Sequence, residues 1–152
     1  MLSRSDLWRQ QNNQGGGSAK RVDEGDQRAM RVLIVHDYDL FRQALVLLLK
    51  WAAGFKSVQA GSLAEAHQLL ELVHEADLAI VSLDLPDGDG VNLITQLRRA
   101  GPSIPVLALT RRLGSGVRVR ALKAGADRVL TSTASGEEII DAIRRLISVS
   151  KW

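Results

Sequence analysis

The stretch DLAIVSLDLPDGDG, residues 77–90, decides the fold of this chain. It contains a continuous apolar run from Leu78 to Val81, which is typical of a strand buried on both faces of a parallel sheet. Proline, aspartate and glycine then mark a turn, and a helix-forming segment begins at Gly90. The stretch therefore predicts a buried strand that ends at Ser82, a turn and a helix.

The same alternation of strand-like and helix-like segments extends along the chain on both sides of this stretch. Periodicity and turn residues predict strands at 31–35, 55–60, 78–82, 104–110 and 128–131, and helices at 39–51, 63–74, 90–99, a segment ending at 124, and 136–147. The apolar face of the first helix is formed by Leu40, Ala44, Leu47 and Leu48. Five strands alternating with five helices predict an α/β fold, a doubly wound parallel sheet covered on both faces.

The composition is that of a globular protein, with 45% hydrophobic and 24% charged residues in a chain of 152. No run approaches the roughly 18 apolar residues that span a bilayer, and the N-terminus has no apolar signal core. These features favour a cytoplasmic location. The absence of cysteine excludes disulfides and thiolate metal sites, and the net charge of +3 is too small to indicate nucleic-acid binding.

Residues 1–29 differ from the rest of the chain. Segment 10–18 is polar and glycine-rich, a composition that buries too little apolar surface to hold a fold. We therefore expect a disordered tail over 1–29 and one folded domain over 30–150, with Met30 as a possible start of the protein. The alternative is a short docked turn formed by Leu2, Leu7 and Trp8.

Polar residues follow the predicted strands at their carboxyl ends. They are His36 and Asp37 after the first strand, Ser82 at the end of the third, Thr110 at the end of the fourth and Ser132 after the fifth. Open α/β sheets bind ligands at this edge, where the strand order reverses. The chemistry of the chain is expected here.

Three stretches carry a resemblance to a known family: VLIVHDYDLFR at 32–42, LDLPDGDG at 83–90 and GAD at 125–127. Together with the strand-end residues they resemble the receiver domains of bacterial response regulators, and the LuxR-type subgroup in particular. The resemblance covers about residues 31–148. It implies a flavodoxin-like (βα)5 fold with strand order 2-1-3-4-5, and a role in two-component phosphorelay signalling and transcription control.

The resemblance also assigns roles to the strand-end residues. In the family, two acidic residues after strand one and a phosphoacceptor aspartate ending strand three hold Mg²⁺, which prefers oxygen ligands. A hydroxyl on strand four and a lysine on strand five then contact the phosphoryl group. Here Asp37 matches the second acid and Thr110 the hydroxyl. Four positions differ from the common pattern: His36 for the first acid, Ser82 for the phosphoacceptor, Ser132 for the lysine, and Val129 at the often aromatic switch position.

These differences predict a degenerate receiver that acts without phosphorylation. A carboxylate attacks phosphorus unaided at pH 7, whereas a serine hydroxyl needs an activating base. Asp37 alone offers at most weak metal binding, so Mg²⁺ is doubtful and no cofactor is expected. The chain is predicted to be a signalling module and not an enzyme.

Three other interpretations of this edge remain open. Asp84 could replace Ser82 as phosphoacceptor, although strand alternation places it about 6–7 Å further along, as an exposed loop acid. His36 and Ser82 should lie on adjacent strands, where they could hydrogen-bond to each other or to Asp37, or form a Ser/His hydrolase pair. The altered pocket could instead bind a small molecule.

A cluster of basic residues indicates a partner surface. The cluster comprises Arg111, Arg112, Arg118, Arg120, Lys123 and Arg128. In receivers, the face made by helix four, strand five and helix five forms dimer or output contacts. We expect a protein partner, such as a kinase or regulator, or a self-dimer through this face. No DNA-binding domain is expected within these residues, and no membrane contact.

Overall fold

The structure, a computed structural model, describes Trp8 and residues 29–112 and 114–150. Its strands are β1 (Arg31–Val35), β2 (Lys56–Ala60), β3 (Leu78–Ser82), β4 (Val106–Thr110) and β5 (Arg128–Thr131). Its α-helices are α1 (Asp39–Ala53), α2 (Leu63–Gln68), α3 (Gly90–Ala100), α4 (Ser115–Ala124) and α5 (Gly136–Ser150). All five strands are parallel, in the order β2-β1-β3-β4-β5, so the predicted fold is confirmed.

The strands divide the core into two layers because successive side chains point to opposite faces of the sheet. Along β1, Val32 and Ile34 pack with α1 and α5, whereas Leu33 and Val35 pack with the residues of α2, α3 and α4. Both layers are closed by helices. The sheet is therefore covered on each face, and its carboxyl edge remains as the place where polar side chains gather.

The predicted apolar face of α1 is not the face that packs on the core. Leu45 and Leu49 face the core, whereas Leu40 and Leu47 are 68% and 56% exposed. Ala44 is also exposed, and Leu48 is half-buried. The helix is apolar around most of its circumference, so the sequence pattern allows two inward faces, and packing against β1 selects one.

Two elements depart from the predicted secondary structure. The second helix is split: α2 ends at Gln68 and a 3₁₀ helix continues from Leu70 to Glu75. After β3, the chain folds back on itself as a short antiparallel ladder that pairs Asp84 with Asp89 and Leu85 with Gly88. This ladder brings the residues after β3 back over the carboxyl edge of the sheet.

Trp8 is helical and only 1% exposed, and it joins the core layer that contains Leu33. The Arg31 guanidinium lies 5.4 Å from the centre of its ring, a cation–π geometry. The burial of this ring favours docking at Trp8, whereas Leu2 and Leu7, the other residues of the predicted turn, lie outside the described residues. The rest of the predicted tail before Ala29 lies outside the described residues. In the part of the chain that the structure describes, no helix is both long and apolar enough to cross a bilayer.

Candidate functional site at the carboxyl edge of the sheet

His36 directly follows β1 and is buried, with 6% of its surface exposed. Its ring packs against Phe41 at a centroid distance of 4.5 Å, and its Nδ1 accepts a hydrogen bond from the Tyr38 amide at 3.1 Å. Burial lowers the pKa of His36, against the opposing effect of Asp37, so the imidazole is neutral near pH 7. An accepting Nδ1 leaves the proton on Nε2, which is buried without a hydrogen-bond partner among the described residues.

Asp37 lies beside His36 at the mouth of the site. Its Oδ1 is 3.7 Å from Nδ1 of His36, and its Oδ2 is 3.8 Å from Nη2 of Arg111. Oδ1 is buried and accepts no hydrogen bond within the described part of the chain. A guanidinium is therefore the cationic neighbour of this carboxylate.

Ser82 ends β3 and is 1% exposed. Its Oγ accepts a hydrogen bond from the Asp84 amide at 3.1 Å. In the described structure Ser82 and His36 do not hydrogen-bond to each other, and the nearer predicted partner, Asp37, lies 3.7 Å from Nδ1 of His36. Each of the two side chains instead accepts a bond from a backbone amide two residues further along the chain.

Asp84 is not the exposed loop acid that strand alternation predicts. Only 12% of its side chain is exposed. Its Oδ2 accepts hydrogen bonds from the Arg111 amide at 2.7 Å and from Oγ1 of Thr110 at 3.4 Å, and its Oδ1 accepts one from Nε of Arg112 at 3.1 Å. The short ladder after β3 turns the carboxylate back toward the sheet. Both carboxylate oxygens are thereby occupied by donors from the end of β4.

Thr110, at the end of β4, is 3% exposed and stands at the centre of these contacts. Its hydroxyl faces Asp84 and accepts a hydrogen bond from the Arg112 amide at 3.0 Å. Its carbonyl oxygen accepts one from the Ser132 amide at 2.8 Å. Thr110 therefore joins the loops that follow β3, β4 and β5.

The end of β5 contributes hydroxyl groups to this edge. Ser132 is half-buried, and Oγ1 of Thr131 lies 2.9 Å from Oγ1 of Thr133. Val129 is buried within the strand, with 5% of its surface exposed. The end of β5 contributes no cation to this edge among the described contacts. The cationic neighbours of Asp37 and Asp84 are Arg111 and Arg112, which follow β4.

The donor set at this edge does not fit a Mg²⁺ ion. Such an ion is held by carboxylates in near-octahedral oxygen geometry. Here His36 presents a neutral imidazole, and the Arg111 guanidinium lies within 3.8 Å of both Asp37 and Asp84. Within the described ranges, no group of three or more His, Cys, Asp or Glu side chains is placed to hold a metal.

The six basic residues predicted as an interaction face fall into two groups. Arg111 and Arg112 pair with Asp84, and Arg120 pairs with Asp89. Partial burial raises the pKa of Asp89, but the Val91 amide and Arg120 outweigh it and hold the pKa below its usual value. The remaining three, Arg118, Lys123 and Arg128, are exposed, and α4 also exposes the apolar side chains of Val119 and Leu122.

The structure brings together His36 and Asp37, and separately Ser82, Asp84, Thr110 and Ser132, along one edge. The sequence alone does not reveal the contacts of Asp84 and Arg112. Its one relevant signal is the Pro86–Gly88 turn, which permits a tight reversal before the chain has left the sheet.

Comparison with known proteins agrees with this arrangement. The profile of the response regulator receiver domain matches residues 32–144. The virulence transcriptional regulatory protein PhoP of Salmonella typhimurium is 39% identical over 118 residues, which is 78% of this chain and 52% of that protein. The chain therefore spans about half the length of the curated relatives it matches.

Solved structures show the same architecture. A response regulator from Burkholderia pseudomallei, with a phosphorylated aspartic acid, a calcium ion and citrate, is 28% identical with a TM-score of 0.68, over 80% of this chain and 71% of that one. A CheY-like receiver domain from Methanospirillum hungatei shares the fold at 21% identity and a TM-score of 0.74, over 82% of this chain and 98% of that one. With its sheet order, its strand-end polar residues and a profile match over most of its length, the chain belongs to the response regulator receiver domain family.

Proposed function

We propose that this receiver signals without phosphorylation at Ser82, through contacts with other proteins. Ser82 stands at the end of β3, where the family resemblance places the phosphoacceptor aspartate. Its hydroxyl needs a base to become nucleophilic. The nearest candidate, His36, makes no hydrogen bond to it in the described structure. The side chain at this position therefore lacks the ionised carboxylate on which aspartyl phosphorylation depends.

The observation that carries the proposal is the position of the Asp84 carboxylate. It accepts hydrogen bonds from Thr110, from the Arg111 amide and from Arg112. By the resemblance, the Thr110 hydroxyl is the group that contacts a phosphoryl group in phosphorylated receivers. In this chain the Thr110 hydroxyl already donates a hydrogen bond to the Asp84 carboxylate. Arg111 and Arg112, the first two residues after β4, are thereby tied to Asp84.

The metal chemistry of the site supports the same conclusion. Phosphoryl transfer is catalysed mainly by charge neutralisation and positioning, commonly with Mg²⁺. Asp37 and Asp84 share the Arg111 guanidinium, and His36 stands where the resemblance places an acidic ligand. The Arg111 guanidinium thus takes the place of the Mg²⁺ ion that other receivers bind from solution.

The contact surface that we assign is formed by α4, β5 and α5. Arg118, Lys123 and Arg128 give it positive charge, and Val119 and Leu122 give it exposed apolar area. A surface of this kind fits an acidic protein partner with an apolar centre. Because the PhoP relatives are transcriptional regulators, we assign the module to transcription control. Its assignment as a LuxR-type pseudo-receiver rests on the resemblance of the sequence motifs.

The test is intact-protein mass spectrometry after incubation with acetyl phosphate and Mg²⁺. The native chain should gain no phosphoryl mass. A variant that carries Ser82→Asp, His36→Asp and Ser132→Lys rebuilds the common residue set and serves as the positive control. Phosphorylation of the native chain, mapped to Ser82, Asp37 or Asp84, would overturn the proposal.

A second candidate function is the binding of a small polar molecule at this edge. The observation that favours it is the pair of buried polar atoms, Nε2 of His36 and Oδ1 of Asp37, without hydrogen-bond partners in the described structure. Buried polar groups are normally satisfied, and a ligand or a water could supply the missing bonds. Thermal-shift screening of metabolites against the native chain and His36→Phe would identify such a ligand by a shift that the variant lacks.

A further inference from the structure

The solvent face of α1 carries a row of apolar side chains. Leu40, Leu47 and Trp51 are 68%, 56% and 84% exposed, and Ala44 lies exposed between them. We call these four residues the α1 stripe. Tryptophan has the largest side chain of the standard amino acids, and most of the Trp51 side chain faces solvent. Exposed apolar residues in one contiguous patch commonly mark a contact surface.

The domain does not need the α1 stripe for its own core. The opposite face of the helix supplies Leu45 and Leu49, which are almost completely buried against β1 and β3. Leu48 and Phe41 fill the border between the two faces. None of the residues that the structure describes covers the α1 stripe. The apolar side chains of the α1 stripe are therefore free to pack against another surface.

The spacing of the α1 stripe is that of a helix-pairing seam. Its residues follow one another at intervals of four, three and four positions, the alternation of the a and d positions in a heptad repeat. The stripe runs about 16 Å along the helix, at a rise of 1.5 Å per residue. A straight seam of this length fits the corresponding face of a second helix.

We propose that the occupant of the α1 stripe is a second copy of the same chain, packed with its α1 antiparallel to the first. Asp39, an exposed carboxylate that also pairs with Arg42 of its own chain, lies in the first turn of α1, and Lys50 lies in the last. An antiparallel pair brings Asp39 of each copy next to Lys50 of the other, and it also opposes the two helix dipoles. A parallel pair would instead place like charges together at both ends.

The antiparallel arrangement also matches side-chain sizes. With the two-fold axis near the middle of the stripe, Leu40 faces Trp51 of the second copy, and Ala44 faces Leu47. The small Ala44 then leaves room for Leu47 of the second copy at the centre of the seam, as interdigitated packing requires. A single helix face buries less area than the roughly 800 Å² per partner of a standard interface, so the dimer is weak and reversible.

Sedimentation equilibrium of the full chain over a wide concentration range tests the proposal. Leu47→Glu should raise the dimer dissociation constant by about tenfold or more, because it places a charge in the seam. The matched control is Asn92→Glu, which adds the same charge to the exposed face of α3, on the opposite side of the sheet, and should leave the constant unchanged. Leu122→Glu, on the surface formed by α4, β5 and α5, reports whether the chain dimerises there instead. A chain that stays monomeric throughout would overturn the proposal, as would a dimer that only Leu122→Glu disrupts. Circular dichroism confirms that each variant is folded.

Cross-linking tests the orientation, and the chain suits it because it contains no cysteine. Asp39→Cys and Lys50→Cys variants are mixed and treated with a short bismaleimide. An antiparallel pair gives a 39-to-50 product only in the mixture. Efficient 39-to-39 and 50-to-50 products in the separate samples would contradict it. Neither experiment involves the site around Ser82, so its outcome is independent of the proposed phosphorylation-free signalling.

Discussion

The Asp84 carboxylate accepts a hydrogen bond from the Arg111 amide at 2.7 Å, which joins the loop after β3 to the loop after β4. The two residues are 27 positions apart in the chain. Charge-assisted bonds of this kind are among the stronger hydrogen bonds in proteins. The link therefore ties Arg111, the first residue after β4, to the loop after β3.

Asp84→Ala should destabilise the fold and loosen the loop after β4. The substitution leaves the Arg111 amide and the Thr110 hydroxyl without their acceptor, at a cost of about 1–3 kcal/mol in the free energy of unfolding. Urea denaturation measures the change, and hydrogen exchange should show faster exchange of the Arg111 amide. The control is Asp39→Ala, which removes an exposed carboxylate paired with Arg42 and should cost about 1 kcal/mol or less.

Gly90→Ala should be poorly tolerated. A Cβ at this position would collide with the backbone of Ser82 and Leu83, which cannot move aside as a flexible side chain could. We expect a loss of about 1–3 kcal/mol in unfolding free energy, as for overpacked cores. Gly116→Ala is the matched control, since a Cβ there meets open space within α4. It should stabilise the chain by up to about 1 kcal/mol, and equal losses in both variants would refute the steric argument.

Trp8→Ala should destabilise the domain although Trp8 lies before the first strand. The ring is 1% exposed, and its removal leaves a cavity that costs about 3–5 kcal/mol. Trp51→Ala changes an 84% exposed ring and should have little effect at concentrations where the chain is monomeric. Denaturation of both variants decides the matter. Similar stabilities would show that Trp8 is dispensable to the fold.

The stability of the chain should fall below pH 6.5 in a manner that depends on His36. Burial lowers its folded pKa below the unfolded value of 6.5, so between these values the unfolded chain binds more protons. The contribution of His36 is therefore complete above pH 6.5 and is lost as the pH falls toward the folded pKa. In His36→Gln, the free energy of unfolding should fall less steeply just below pH 6.5. His74→Gln, at an exposed histidine, should retain the native profile.

The parts of the fold that follow from local pattern were predictable. The bounds of β1, β3 and β5 agree with the sequence prediction because buried β-branched runs end at strongly polar or turn residues. The positions of Ser82 and Thr110 at strand ends follow from the same rule. These predictions required no knowledge of long-range contacts.

The remaining features depend on contacts that periodicity does not encode. The inward face of α1 was ambiguous because residues 45–49 are all apolar. Asp84 was misplaced because alternation assumes that β3 continues straight, whereas the chain reverses into a short ladder. A single aromatic residue in a polar segment, such as Trp8, has no period at all, so its burial is visible only in the structure.

The carboxylate of Asp84 differs from a phosphoryl group in one respect that bears on time. A phosphoryl group on aspartate is added and later hydrolysed, so it sets an interval during which a signal lasts. A side chain is present from synthesis to degradation. Any output that depends on the contact between Asp84 and Thr110 must therefore follow how much of the protein the cell makes and how quickly it removes it.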